Sequence, residues 1–152
     1  MRTTTRKKKI LLIDDEVSFT RLLKLILEQT SNYEVRVENG PDNALRTARE
    51  FLPDLVLLDV IMPRMIGNDV AKRLRADAQL MKIPIVFLSA VFSRNAVDDR
   101  NRTLDFPSIT KPVSPEELIE GIERHLPKRN DYLNGAEIVD GDETSAAPAA
   151  TF

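Results

Sequence analysis

The stretch Leu55-Val56-Leu57-Leu58-Asp59 constrains this chain more than any other. Four apolar residues run without a break into one carboxylate. A strand with one wet face would alternate. A short unbroken run bounded by turn residues marks a strand covered on both faces. Two other runs share this form. Lys9-Ile10-Leu11-Leu12-Ile13 leads into Asp14-Asp15, and Ile83-Pro84-Ile85-Val86-Phe87-Leu88 leads into Ser89. A weaker run, Ser108-Ile109-Thr110, leads into Lys111-Pro112. In open parallel sheets, chemistry gathers outside the carboxyl ends of the strands. If these runs are parallel neighbours, three carboxylates, one hydroxyl and one ammonium meet on one rim.

Helical patterns separate the runs. Phe19, Leu22, Leu23, Ile26 and Leu27 predict an amphipathic helix from Glu16 to Gln29, broken by Thr30-Ser31-Asn32. Tyr33, Val35 and Val37 alternate with charged residues, as in a half-buried strand near a sheet edge. Asn39-Gly40-Pro41 reads as a turn into a helix whose inner face is Ala44, Leu45, Ala48, Phe51 and Leu52. Asn68 is placed to cap a third helix carrying Val70, Ala71 and Leu74 inward. A fourth helix is expected over 92–104. Ser114-Pro115-Glu116-Glu117 combines a cap, a first-turn proline and a capping-box glutamate, and opens a last helix packed by Leu118, Ile119, Ile122 and Leu126. Five strands alternating with five helices predict a three-layer α/β domain on a parallel sheet.

A length of 152 residues suits one domain with an adequate core, and the absence of cysteine excludes a disulfide framework or a thiolate metal site. No apolar run reaches the roughly 18 residues of a membrane helix, and no signal-peptide pattern precedes the first strand. The expected setting is cytoplasmic. The net charge of −2 is unevenly spread: Arg6-Lys7-Lys8-Lys9 is basic, while Asp131 to Phe152 holds acids and no bases. The basic run has no interleaved aromatics, so it reads as a solvated lead-in and not as a nucleic-acid contact. The expected division is a flexible lead-in over 1–7, the domain over 8–127, and a mobile tail or the start of a linker over 128–152.

Asp14, Asp15 and Asp59 on one rim would repel one another unless a cation intervened. A hard divalent ion with oxygen ligands, Mg²⁺ or Mn²⁺, suits that donor set. A carboxylate can also act as a nucleophile toward phosphorus. Lys111 and the Ser89 hydroxyl would then offer charge and a donor to the transferring phosphoryl group. Each residue alone has a plainer reading: Asp59 as a helix cap, Asp15 as the cap of the first helix, Lys111 as a surface lysine. His125, the one histidine, reads as a residue of the last helical turn.

With these motifs in order, the chain resembles the response-regulator receiver domain of two-component signalling. The matching residues are the Asp14-Asp15 pair, the stretch from Leu57 through Asp59 and Met62-Pro63 to Gly67, Phe87-Leu88-Ser89-Ala90, and Thr110-Lys111-Pro112. Their separations fit as well: 44 residues from Asp15 to Asp59, 30 from there to Ser89, and 22 on to Lys111. The resemblance implies a flavodoxin-like fold with strand order 2-1-3-4-5. It implies that Asp59 accepts a phosphoryl group from a sensor histidine kinase or a histidine phosphotransfer protein. Asp14, Asp15, Asp59 and the backbone carbonyl of Ile61 would hold Mg²⁺. Ser89 would be the switch hydroxyl, Lys111 would pair with the phosphoryl group, and the bond to Pro112 would be cis. The domain would catalyse only its own phosphorylation and dephosphorylation, and so would not be an enzyme in the turnover sense.

The chain also departs from the family. Ser108 stands where many receivers carry an inward-turning aromatic, with Phe106 or Phe92 as candidates to replace it. The face of the fourth expected helix and the fifth strand is therefore atypical, which fits a particular downstream protein or a homodimer. Ile61 and Val91 flank the site with apolar side chains that cannot hold an attacking water, so slow self-dephosphorylation is expected. The competing readings are a phosphorylation-independent adaptor on the same fold, and an aspartate-nucleophile phosphohydrolase. The intact acidic triad disfavours the adaptor. The missing second aspartate two residues after Asp59 disfavours the phosphohydrolase.

Overall fold

The four apolar runs and the alternating one become the five strands of a single parallel sheet. A computed structural model describes residues 5–62, 66–90, 106–111 and 113–128. The strands are β1 (Lys8–Ile13), β2 (Tyr33–Glu38), β3 (Leu55–Asp59), β4 (Ile85–Ala90) and β5 (Ser108–Lys111), in the order β2-β1-β3-β4-β5. The helices are α1 (Val17–Gln29), α2 (Ala44–Phe51), α3 (Gly67–Ala76) and α4 (Pro115–His125). The helix expected over 92–104 lies outside the described residues, as do Val91, Phe92, Pro112 and the tail from 129 onward.

Strand position follows from side-chain pattern. The continuous apolar runs occupy the middle, where every residue of β3 is buried. The alternating run, with Tyr33 and Val35 buried but Glu34 and Arg36 exposed, forms one edge. β5, which exposes Ser108 and Thr110, forms the other. Each central strand divides its side chains between two cores. Leu11, Ile13, Val56, Leu58, Ile85 and Phe87 pack against α2 and α3. Ile10, Leu12, Leu55, Leu57, Val86 and Leu88 pack against α1 and α4. Burying each such side chain contributes about 1.5–3 kcal/mol, so both helical layers are held by the same strands.

Several local expectations shift. β4 begins at Ile85, two residues later than the apolar run. Pro84 has no N–H to give the ladder, and the Ile83 amide is turned back to the Leu80 carbonyl at 3.0 Å. The strand extends through Ser89 to Ala90. Leu22 is 55% exposed and Leu52 is 53% exposed. Leu52 closes α2 in the left-handed region, with φ 50°, and Thr47 is buried on that face. The proline-led turn at Pro41–Asn43 is a 3-10 segment ahead of α2. Asn68 does not cap α3. The cap position is Ile66, and Asn68 lies buried in the first turn. The capping box of α4 is present in full: Ser114 accepts the Glu117 amide, and Glu117 accepts the Ser114 amide, both at 3.1 Å.

Candidate functional site

The chain leaves β1 in one direction to build β2, then crosses back to build β3 on the other side of β1. The carboxyl ends of β1 and β3 flank this reversal, the place where open α/β sheets form a crevice. The register pairs Ile13 with Leu58, so the next residues, Asp14 and Asp59, emerge side by side. Asp59 pairs with Leu88, and Ala90 pairs with Lys111, which brings the ends of β4 and β5 to the same rim.

Lys111 binds the two buried carboxylates together. Its Nζ donates to Asp14 Oδ2 at 2.9 Å and to Asp59 Oδ1 at 3.3 Å. Asp14 is 1% exposed and Asp59 is 8% exposed. Asp15 joins them: carboxylate oxygens of Asp14, Asp15 and Asp59 lie within 4.8 Å of one another. Ser89 stands half-buried on the neighbouring strand, in register with Thr110. Four of the expected side chains thus form one cluster, with Ser89 one strand away from Asp59. Ile61 is more than half exposed just beyond β3.

The surrounding backbone holds these groups in place. Asp14 Oδ1 accepts the Glu16 amide at 2.9 Å and so fixes the entry to α1, where Glu16, not Asp15, is the cap residue. The Asn39 side-chain amide donates to the Asp14 carbonyl at 2.7 Å and to Thr20 Oγ1 at 3.0 Å. Sequence reasoning read Asn39 only as a turn residue; its amide, two residues from a proline, gave no further sign. After β3, Ile61 and Ile66 form an antiparallel bridge, and the Gly67 amide donates to the Val60 carbonyl at 2.8 Å. A Cβ at Gly67 would stand 2.3 Å from the Asp59 carbonyl oxygen. Glycine is therefore what lets α3 start directly against the strand that carries Asp59.

The charges are unbalanced. Burial, reinforced by the Asp14 charge, raises the Asp59 pKa above its ordinary value, while Lys111 and the Ile61 amide pull the other way. Burial disfavours the Lys111 ammonium, but hydrogen bonds and charge from Asp14 and Asp59 prevail, and its pKa is raised. One ammonium faces three carboxylates, all oxygen donors. That set suits a small, hard divalent cation and offers nothing to a soft one.

The model of the response regulator receiver domain matches residues 10–123. The chain belongs to this family. Domains of the family bind Mg²⁺ in an acidic site and act in two-component systems. This receiver is 36% identical over 132 residues to the DNA-binding response regulator MtrA of Mycobacterium tuberculosis, a match covering 84% of this chain and 54% of MtrA. It is 34% identical over 148 residues to the alkaline phosphatase synthesis transcriptional regulatory protein PhoP of Bacillus subtilis, covering 89% of this chain and 59% of PhoP. The chain therefore spans a little over half the length of these relatives. Among solved structures, chemotaxis protein CheY4 of Vibrio cholerae superposes with TM-score 0.70 at 28% identity, over 80% of this receiver and 100% of that chain. The activated receiver of Klebsiella pneumoniae RstA superposes with TM-score 0.68 at 26% identity, over 80% and 100%.

The aromatic departure has a structural counterpart. Ser108 is exposed. Phe106 instead packs edge-on against Phe87, with centroids 5.4 Å apart and planes at 71°. The Arg75 guanidinium lies over the Phe106 ring. Among the described residues, no helix is long and apolar enough to cross a membrane.

Proposed function

We propose that Asp59 is the phosphoacceptor of this receiver, taking a phosphoryl group from the phosphohistidine of a sensor histidine kinase or histidine phosphotransfer protein. The observation that carries this reading is the Lys111 bridge: one ammonium donates at once to Asp14 and Asp59 at the crevice of the sheet. In the transfer, an Asp59 oxygen bonds to phosphorus as the P–N bond to the donor imidazole breaks. The electron pair leaves with the imidazole, which takes up a proton. Lys111 then holds a phosphoryl oxygen, and Ser89 offers its hydroxyl to another. Asp14, Asp15, Asp59 and the Ile61 carbonyl would hold Mg²⁺, which supplies charge to offset the phosphoryl oxygens. A phosphoryl group adds nearly two negative charges at this rim. It would draw the ends of β4 and β5 toward it and so change a surface that a downstream protein reads.

The domain is both catalyst and substrate, consumed at each event, and so not a turnover enzyme. Val17, the first residue of α1 after Asp14-Asp15-Glu16, and Leu22 further along that helix are both exposed, which suits contact with a protein donor. The proposed setting is the cytoplasm. DNA binding, which the name of MtrA states for that protein, would fall to other parts of a longer chain and not to this domain. Purified protein incubated with acetyl phosphate and Mg²⁺ should gain one phosphoryl mass, and Asp59→Asn should gain none. An adduct that survives in the variant would place the phosphoryl group elsewhere. No adduct from either acetyl phosphate or a phosphorylated kinase would leave this reading without support.

A further inference from the structure

Lys111 makes a third contact that the phosphoacceptor chemistry does not account for. Its Nζ sits 4.3 Å from the centroid of the Phe19 ring. Phe19 is half-buried in the first turn of α1 and packs against the core on the α1–α4 side. A lysine ammonium has three N–H donors. Two are taken by Asp14 and Asp59, and the ring face covers a further side of the head group. A ring face within about 6 Å attracts a cation through its quadrupole, and more strongly where water is excluded. Lys111 is in such a place, with its side chain 20% exposed.

We propose that Phe19 is a positioning residue for Lys111: its ring face fixes the ammonium at the rim, so that the donors point at Asp59 and at a phosphoryl group on it. The inference rests on the phosphoacceptor reading. A four-carbon stem with four rotatable bonds does not hold an ammonium at one point by itself. The two carboxylates hold it by charge, yet Asp59 changes its shape and charge when the phosphoryl group arrives. The ring does not change in that step, and it is carried by the same helix whose entry Asp14 fixes. Asp14 and Phe19 therefore hold Lys111 from two sides while Asp59 reacts.

The test separates ring electronics from packing. Mono-, di- and trifluorophenylalanine at position 19 drain the ring face stepwise with little change of volume. Acetyl phosphate with Mg²⁺ serves as donor, and intact mass reads the rate. The rate at saturating donor should fall with each fluorine, with the half-saturating donor concentration unchanged. Phe19→Leu should be slower than wild type by on the order of fivefold, and Phe19→Tyr should restore most of the rate. The ε-methylene protons of Lys111 should show an upfield ring-current shift in wild type and Phe19→Tyr that is absent in Phe19→Leu. A flat rate across the fluorinated series overturns the positioning role while leaving the phosphoacceptor reading intact. A wild-type protein that accepts no phosphoryl group overturns that reading and the positioning role with it.

Discussion

At the scale of single residues, the site depends on how closely the backbone comes to Asp59. The Cβ of an alanine at 67 would meet the Asp59 carbonyl oxygen at 2.3 Å and Phe87 Cε1 at 3.1 Å. The nearest neighbour is strand backbone, which cannot swing aside as a flexible side chain can. Gly67→Ala should therefore lower the unfolding free energy in urea by about 1–3 kcal/mol, as overpacking does, and slow phosphorylation by displacing Asp59. A variant as stable as wild type would mean that α3 can retreat without cost. Ile61 raises a different question. Its side chain is 55% exposed two residues after the proposed acceptor, Asp59, and has no hydrogen-bonding group for an attacking water. Ile61→Asn should shorten the lifetime of the phosphoryl adduct several-fold, read by mass after donor removal; an unchanged lifetime would remove the residue from that role. Legibility at this scale followed chemistry. Asp14, Asp15, Asp59 and Lys111 could be read from sequence because carboxylates and a lysine at strand ends have few plainer uses in such a constellation. Phe19 and Asn39 could not, because an apolar residue at helical spacing and an asparagine before Gly-Pro look the same whether or not they touch a charged group.

At the scale of elements, polar ties set how the helices sit on the sheet. Asp77 closes α3 and accepts from Arg49 Nε of α2 at 2.7 Å and from the Gln79 amide at 2.9 Å. The Arg49 hydrogen bond, then that of the Gln79 amide, holds the Asp77 carboxyl below its ordinary 3.8. A carboxyl with a depressed folded pKa stabilises the fold above its unfolded value, and that contribution is lost as pH falls through the folded value. Asp77→Asn should therefore be less stable than wild type at neutral pH, with the gap narrowing below about pH 4. Paired urea titrations across that range check it, and a pH-independent gap would assign the effect to packing instead. On the other face, the Tyr33 hydroxyl donates to Glu123 and ties the start of β2 to α4. Element type was legible for every described strand and α-helix because unbroken apolar runs, one alternating run and helical spacing leave different marks. Element ends were less so. β4 slid two residues because Pro84 removes a ladder donor, and α3 began without the asparagine cap because the Ile61–Ile66 bridge delivers the chain to Gly67 already turned.

For the molecule as a whole, the acidic rim is assembled only when β1 and β3 lie side by side, so a cation that binds the rim binds the folded state alone. Binding then adds stability as RT ln(1 + [L]/Kd), about 2.7 kcal/mol at a hundredfold excess over Kd. Mg²⁺ should accordingly raise the urea midpoint of the wild-type protein, in proportion to its saturation. The same ionic strength supplied as NaCl should not. Asp15→Asn removes an outer carboxylate that makes no contact with Lys111 in the bridge, so the fold and the Asp14–Lys111–Asp59 link should persist while the Mg²⁺-dependent gain shrinks. Equal stabilisation of Asp15→Asn and wild type would place the ion elsewhere. The edge place of β2 was legible because an alternating run cannot occupy the middle of a doubly covered sheet; the full strand order was implied only by the resemblance to receivers, because side-chain pattern does not say which buried strand lies beside which. The size of the linkage was not legible, because it depends on how much Lys111 already offsets. An ammonium shared at 2.9 and 3.3 Å between two buried carboxylates competes with any cation for the same oxygens. Lys111→Met should then bind Mg²⁺ more tightly than wild type while accepting phosphoryl groups more slowly, since on the proposed reading the lysine would oppose the metal and assist the phosphoryl group. Calorimetric titration beside the mass assay reads both signs, and a variant that loses affinity and rate together would show that Lys111 mainly holds the rim in shape.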